Sequence, residues 1–160
     1  MEVIDNFLPR YEFDKLQSFL LGEYFPWYYN DYILDDHYND YSKFQFIHLI
    51  YRDKVTSSFS PNMQPFIDRL GVKNLFRIKS NLNLKTSNHQ YGGYHLDPYR
   101  KGKIALYYIN TNNGWTEFKN GNKIDSIENR MLIFDADLEH TGVTCTDQKR
   151  RVLINFNYER

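Results

Sequence analysis

Apolar and polar residues alternate with a period of two over much of the chain. Phe44, Phe46, His48 and Ile50 form one such row. Further segments with this pattern are residues 76–79, 104–109, 115–118, 131–134 and 152–158. This period predicts β-strands, because successive side chains of a strand point to opposite faces. Turn signals rich in glycine and asparagine separate the segments, as at Gly92-Gly93 and Asn112-Asn113-Gly114. The pattern therefore predicts many short antiparallel strands.

Two segments near the N-terminus carry apolar residues at helical spacing instead. Residues 11–21 predict one helix that stops at Gly22, and residues 61–70 predict a second that stops at Gly71. A short strand is expected at residues 3–8. The predicted fold is mainly β with supporting helices, and a jelly roll fits the pattern best. We expect one domain over residues 1–160, with a jelly-roll core at 76–158 and helical support and outer strands at 1–75.

Composition narrows the class of protein. The single cysteine, Cys145, excludes an internal disulfide framework and is typical of a reducing cytosol. The sequence shows no secretory leader and no apolar run long enough for a bilayer, so a soluble, cytoplasmic protein with no membrane partner is expected. Twenty basic and twenty acidic residues give a net charge of zero, which makes nucleic acid an unlikely partner. Nothing in the sequence indicates an oligomeric state.

Residues 30–42 have no clear period and are rich in aspartate and tyrosine. Such a segment is more often a solvated loop than a functional one, although a loop that covers a substrate is the alternative.

His95 and Asp97 are the first candidate chemical group. At positions i and i+2 of a strand, an imidazole and a carboxylate converge on one ion. His140 follows the strand 130–134 and a polar turn, and it supplies a third ligand. Two histidines and one carboxylate on one face of an octahedral ion are typical of non-haem Fe(II) oxygenases. We expect this site at the rim of the barrel, so that replacing Asp97 would leave the fold intact.

The last strand adds a cation after the second histidine. It begins with Arg150 and Arg151, and a bidentate guanidinium suits a buried dicarboxylate. Strand alternation does not decide which of the two arginines binds the dicarboxylate. The apolar face of Val152, Ile154 and Phe156 would be expected to point inward, and Arg150 lies on that face.

Taken together, these motifs resemble the 2-oxoglutarate and Fe(II) dependent oxygenase superfamily, in particular its prolyl-hydroxylase-like branch and the small members common in phages. The resemblance covers residues 76–158, with His95-Leu96-Asp97, residues 104–110, residues 114–118, His140 and residues 151–157 in the expected order. It implies a double-stranded β-helix. It also implies that Tyr108 and Arg151 bind the distal carboxylate of 2-oxoglutarate and that Thr116 lines the same pocket. Many relatives carry Ser or Thr where Leu153 stands here, so the resemblance implies that Tyr108 supplies that hydroxyl.

The resemblance implies a dioxygenase that uses Fe(II), 2-oxoglutarate and O2 and releases succinate and CO2. A hydroxylase of a protein side chain such as proline is the leading interpretation. A hydroxylase of a small metabolite or nucleobase, a cupin-like module that binds without turnover, and a structural virion or interaction protein are the alternatives. Tyr91, Tyr94 and Tyr99 flank the expected iron site and are either substrate contacts or rim packing.

Overall fold

The computed structural model describes residues 1–34, 40 and 42–160. Its helices are α1 (Arg10–Leu21) and α2 (Gln64–Leu70), and a 3-10 turn, Ser60–Met63, leads into α2. The first six strands are β1 (Glu2–Ile4), β2 (Tyr28–Asn30), β3 (Gln45–Arg52), β4 (Val55–Thr56), β5 (Asn74–Leu84) and β6 (Lys103–Tyr108). The remaining strands are β7 (Trp115–Phe118), β8 (Lys123–Asp125), β9 (Arg130–Asp135), β10 (His140–Val143) and β11 (Arg150–Glu159).

The strands form two antiparallel sheets. The larger sheet has the order β1-β9-β6-β11-β5-β3-β2, with β4 paired to β3, and the smaller sheet has the order β10-β7-β8. This mainly β, jelly-roll architecture confirms the predicted fold class. The strands β1 and β3, from the N-terminal part, pair with β9 and β5, so both parts of the chain build one sheet. The prediction of a single domain stays a prediction.

Each face of the larger sheet is covered by a different layer. On one face, Phe13 of α1 and Phe66 of α2 pack in a cluster with Ile154 and Phe156 of β11. On the other face, side chains of β6, β9 and β11 pack with Phe118 of the smaller sheet. A strand covered on both sides buries both of its alternating faces, which explains why β11 is buried almost throughout.

Helix ends follow the sequence signals. Gly71 ends α2 with a positive φ of 63°, a left-handed conformation that glycine adopts without a steric penalty. Both helices begin within three residues of the predicted positions, and the first turn of the second is 3-10 rather than α.

Several strand predictions need correction. The first strand is shorter than residues 3–8, and β2, β4, β8 and β10 were not predicted. These four have two to four residues, too few for alternation to register, and their partners in the sheet hold them. His95 makes only an isolated bridge with His140, and Asp97 lies outside any strand. Strand alternation is therefore not what brings His95 and Asp97 together.

The segment predicted as a loop, residues 30–42, lies partly outside the described residues, at 35–39 and 41. At its described ends, the Ile33 N–H donates to the Lys43 carbonyl at 2.8 Å. Of the helices in the described ranges, neither has the length and apolar character needed to cross a membrane.

Candidate active site

The three predicted metal ligands lie together in one cavity between the sheets. His140 is the first residue of β10, and His95 faces it so that each backbone N–H donates to the other's carbonyl, at 3.0 and 3.1 Å. The candidate ligand atoms of His95, Asp97 and His140 all lie within 4.8 Å of one another. This spacing is short enough for one ion to contact all three side chains.

Backbone carbonyls orient both imidazole rings. The Nδ1 atom of His95 lies 3.0 Å from the Gly93 carbonyl, and that of His140 lies 3.1 Å from the Leu138 carbonyl. A carbonyl only accepts, so each Nδ1 carries the proton and each Nε2 keeps a free lone pair. Burial is the main influence that lowers the pKa of His140, which favours the neutral ring that a metal requires.

Asp97 is buried and held through one of its two oxygens. Its Oδ2 accepts hydrogen bonds from Arg77 at 3.0 Å, Asn155 at 2.9 Å and Asn157 at 2.8 Å. Its Oδ1 lies 3.7 Å from Nε2 of His95 and accepts no hydrogen bond from the residues that the structure describes. The arrangement therefore fixes the carboxylate and leaves one oxygen for a metal. Because Asp97 is only 4% exposed, the expectation that it lies at the rim was wrong.

The carboxylate is also kept ionised. Burial is the strongest influence on Asp97 and raises its pKa, but it is outweighed by opposing contributions. The neighbouring His95 ring, the positive charge of Arg77 and the hydrogen bond from Asn157 hold the pKa of Asp97 well below its ordinary value. The ligand is therefore anionic at neutral pH.

Arg151 lines the same cavity as the three ligands and is 2% exposed. Its Nε donates to Ser126 Oγ at 2.8 Å, and its Nη2 donates to Thr116 Oγ1 at 3.0 Å. Burial lowers the pKa of this guanidinium from its ordinary value. Within the described part of the chain, no carboxylate pairs with it, which is unusual for a buried cation.

Tyr108 and Thr116 complete the surroundings of Arg151. The Tyr108 hydroxyl donates to Thr116 Oγ1 at 2.8 Å, and its ring lies beneath the guanidinium, 5.6 Å from Cζ. Burial raises the pKa of Tyr108, so this hydroxyl stays protonated. Thr116 Oγ1 already accepts two hydrogen bonds, and its own hydroxyl proton is left to donate to a bound acceptor.

Arg150 points the other way. Its Nη2 donates to the Leu21 carbonyl at the end of α1, and its backbone carbonyl accepts from Asn110 at 2.9 Å. Alternation along β11 thus sends Arg151 into the cavity and Arg150 to the helical side. The face with Val152, Ile154 and Phe156 is indeed a core, but it is the core beneath the helices.

Two cations near the ligands were missed in the sequence. Lys79 of β5 lines the cavity with the three ligands, and both Lys79 and Arg52 of β3 line an adjoining cleft. Burial, followed by repulsion from Arg77, lowers the pKa of Lys79 to about 8. A period of two along β5 places Lys79 on the face of Arg77 and Asn81, but only the paired strands show that this face lines the cavity.

The three flanking tyrosines differ in their contacts. The hydroxyls of Tyr91 and Tyr94 donate to Glu117, at 3.3 and 2.8 Å, and both side chains remain exposed by about 40%. Tyr99 stacks on Phe76, with the ring centres 5.2 Å apart. Cys145 is buried and its burial raises the pKa of the thiol, so it is not an activated nucleophile.

The fold is shared with solved oxygenases, although no family model matches the sequence and no curated protein matches it. An oxidoreductase of the 2OG-Fe(II) oxygenase family from Burkholderia pseudomallei has a TM-score of 0.67 at 12% identity, over 98% of this chain and 84% of that one. A Trichoplax adhaerens prolyl hydroxylase, solved with a peptide of the oxygen degradation domain of hypoxia inducible factor, has a TM-score of 0.65 at 14% identity, over 99% and 83%.

A Pseudomonas putida prolyl-4-hydroxylase is also similar, with a TM-score of 0.62 at 14% identity over 99% of this chain and 92% of that one. Identities this low show a common fold. The function must be argued from the side chains of the cavity.

Proposed function

We propose that this protein is an Fe(II)- and 2-oxoglutarate-dependent dioxygenase that hydroxylates a protein side chain such as proline. One observation carries the proposal: three convergent metal ligands line the same cavity as a buried arginine that no carboxylate of the described residues pairs with. A metal-binding module without turnover has no need for a desolvated guanidinium beside its ion. A dicarboxylate co-substrate that bridges the ion and the guanidinium explains both.

The donor set fits iron. Two neutral imidazoles and one carboxylate leave open positions on an octahedral ion, as non-haem Fe(II) chemistry requires. His95, Asp97 and His140 would hold the metal through Nε2, Oδ1 and Nε2. Partners behind each ligand, which are Gly93, Leu138 and the donors to Asp97 Oδ2, fix the rings and the carboxylate in place.

The pocket around Arg151 fits the distal carboxylate of 2-oxoglutarate. Arg151 would supply the charge, and the Thr116 hydroxyl would donate a hydrogen bond, with Tyr108 holding Thr116 in position. Leu153, where many relatives carry Ser or Thr, lines the cavity without a hydroxyl. Because the Tyr108 hydroxyl already donates to Thr116 Oγ1, Thr116 rather than Tyr108 would replace that missing donor.

The bound iron and 2-oxoglutarate would supply oxygen activation, with succinate and CO2 as co-products. This chain's own residues position the two groups and keep Asp97 ionised. The proposal of a protein side chain as substrate draws on the similarity to two prolyl hydroxylases, of which one was solved with a peptide. It also draws on the cleft of about 480 Å³ beside His95 and Asp97, which offers space for a side chain.

The proposal is tested by anaerobic titration of the protein with Fe(II) and 2-oxoglutarate, followed by oxygen-dependent release of succinate in the presence of proline-containing peptides. We expect 2-oxoglutarate to bind only when the metal is present and succinate to form only when O2 is added. His95→Ala is the control for metal dependence. A protein that binds the metal but neither binds nor consumes 2-oxoglutarate would be a binding module, and the proposal would be wrong.

A further inference from the structure

A cleft lies beside the metal ligands and is separate from the surroundings of Arg151. It has a volume of about 480 Å³, and His95 and Asp97 form part of its lining, whereas Arg151 and Thr116 do not. A substrate in this cleft would therefore reach the metal from a different side than a co-substrate held by Arg151.

The cleft carries three cationic side chains and a single carboxylate among its described lining residues. The cations are Arg52, Arg77 and Lys79, and the carboxylate is Asp97. Arg77 is not available to a ligand, because its Nη2 donates to Asp97 at 3.0 Å and its Nε donates to Asn157 at 2.8 Å. Among the described residues neither Arg52 nor Lys79 forms an ion pair, and the attraction of Lys79 to Asp97 is outweighed by burial and by Arg77.

Lys79 and Arg52 face this cleft without a hydrogen-bond or ion-pair partner in the part of the chain that the structure describes. Lys79 is partly buried on β5, and the lowered pKa of its ammonium, about 8, reflects that burial and the nearby Arg77. A desolvated lysine beside an arginine costs stability, and binding an anion there would offset this cost.

The cofactors of the proposed function do not supply that anion. A divalent iron and the dianion of 2-oxoglutarate offset each other, and Asp97 is offset by Arg77. Arg151, Lys79 and Arg52 then remain as excess positive charge across the cavity and the cleft. Arg151 is satisfied locally by the distal carboxylate, whereas Arg52 lines only the cleft and Lys79 lies where the cleft and the cavity adjoin.

We infer that the primary substrate presents a carboxylate or phosphate group to Lys79 and Arg52, which places its reacting carbon beside the metal. This inference rests on the proposed oxygenase function and names the chemical class of its substrate. Lys79 lines both the cavity and the cleft, whereas Arg52 lines the cleft alone and is exposed. The two residues are binding determinants for substrate rather than for 2-oxoglutarate.

The test uses the protein loaded with Mn(II) and 2-oxoglutarate and follows paramagnetic relaxation of small probes by NMR. The probes are two matched pairs, acetyl-aspartate amide with acetyl-asparagine amide and acetyl-phosphoserine amide with acetyl-serine amide. The anionic member of at least one pair should bind about tenfold more tightly than its neutral partner, as expected for one charge-assisted contact. The two pairs distinguish a carboxylate from a phosphate.

Variants test whether the preference for the anionic probe comes from the cleft residues. Lys79→Met and Arg52→Gln should each remove most of the tenfold preference, whereas Lys73→Met and Arg69→Gln, which change exposed residues outside the cleft, should keep it. Affinity for 2-oxoglutarate should be unchanged in all four variants. Anion binding that survives in both cleft variants would place the anion on the metal and overturn the inference, as would a loss of 2-oxoglutarate affinity in Lys79→Met.

The two proposals fail in different ways. If 2-oxoglutarate binds the wild-type protein but neither anionic probe is preferred, the inference is wrong and the proposed function stands. If 2-oxoglutarate does not bind the metal-loaded wild-type protein, both are wrong.

Discussion

Arg77 and Asp97 form a buried ion pair in which Nη2 of the arginine lies 3.0 Å from Oδ2 of the aspartate, with side-chain exposures of 9% and 6%. The pair connects β5 to the segment that carries His95. It occupies one carboxylate oxygen and leaves the other for a metal, so one contact serves both the fold and the site. Removing either partner leaves an uncompensated buried charge.

Replacing Asp97 should therefore cost both metal binding and stability. In Asp97→Ala we expect no succinate formation and a free energy of unfolding lower by about 3–5 kcal/mol, because Arg77 remains buried without its partner. Denaturant unfolding in the presence of EDTA measures this loss without any contribution from bound metal.

The matched variants separate the two effects. His95→Ala removes a ligand that has no buried ion pair, and it should abolish succinate formation at a cost of about 1 kcal/mol or less. Adding Arg77→Met to Asp97→Ala should restore much of the lost stability but no activity. Equal stability of the Asp97 and His95 variants would contradict this account of the pair.

The adjacent arginines of β11 should differ sharply in their effect on the co-substrate. Arg151→Ala should weaken 2-oxoglutarate binding by about a hundredfold or more, because it removes the buried ion pair that Arg151 would form with the distal carboxylate of the bound co-substrate. Arg150→Ala should leave that affinity unchanged, since Arg150 bonds to the Leu21 carbonyl on the helical side. Anaerobic titration of the Fe(II)-loaded variants measures both, and a reversed result would mean that Arg150 binds 2-oxoglutarate.

The Thr116 hydroxyl should contribute a smaller part of the same affinity. Thr116→Val keeps the shape of the side chain, loses the donor and leaves Arg151 Nη2 and the Tyr108 hydroxyl without their acceptor. We expect about tenfold weaker 2-oxoglutarate binding and a similar or smaller loss in Tyr108→Phe.

Tyr107→Phe is the control for these two variants. The Tyr107 hydroxyl donates to Asn129 on the opposite face of β6, so this variant should bind 2-oxoglutarate normally. Normal binding by Thr116→Val would show that its hydroxyl does not contact the co-substrate.

Lys79 should lower the stability of the metal-free protein at neutral pH. Burial lowers the pKa of Lys79 to about 8 in the folded state, against an ordinary value of 10.5. Below pH 8 the ammonium is charged in both states, and its burial lowers the free energy of unfolding. Lys79→Met should raise the free energy of unfolding at pH 7 by about 1–3 kcal/mol. The advantage should shrink as pH rises from about 8 to 10.5, because the folded wild-type protein releases this proton first.

Denaturant unfolding with EDTA at pH 7 and pH 10 measures that difference, and Lys73→Met, at an exposed position, should show no such change. A Lys79→Met protein that is less stable than wild type at pH 7 would indicate that the ammonium has a stabilising partner.

Much of this fold was predictable because its longer elements repeat a local pattern. Period-two alternation located β3, β6, β9 and β11, and helical spacing followed by glycine located α1 and α2. Strands of two to four residues, such as β10, were missed because so few residues do not establish a period. The conformation of β10 depends on hydrogen bonds to β7, which is distant in sequence.

Residue type and order, by contrast, singled out His95, Asp97, His140 and the arginine pair as candidates, and the resemblance to a known family added Tyr108 and Thr116. The chemistry of metal and carboxylate binding restricts the side chains that serve, so those types in that order are informative. The sequence did not decide between Arg150 and Arg151, because β11 is covered on both faces and both alternating rows are buried. Only the packing of the helices on one face and the smaller sheet on the other showed which arginine enters the cavity.

The tertiary structure also decided how Asp97 is held and what lies beside it. Arg77, Asn155 and Asn157 reach its Oδ2 from β5 and β11, and Lys79 and Arg52 face the neighbouring cleft. None of these residues has a distinctive local pattern, because polar side chains at such positions are equally common on solvent-exposed strands. The sequence determined which side chains are available for the chemistry, and long-range strand pairing determined which of them share one low-dielectric space.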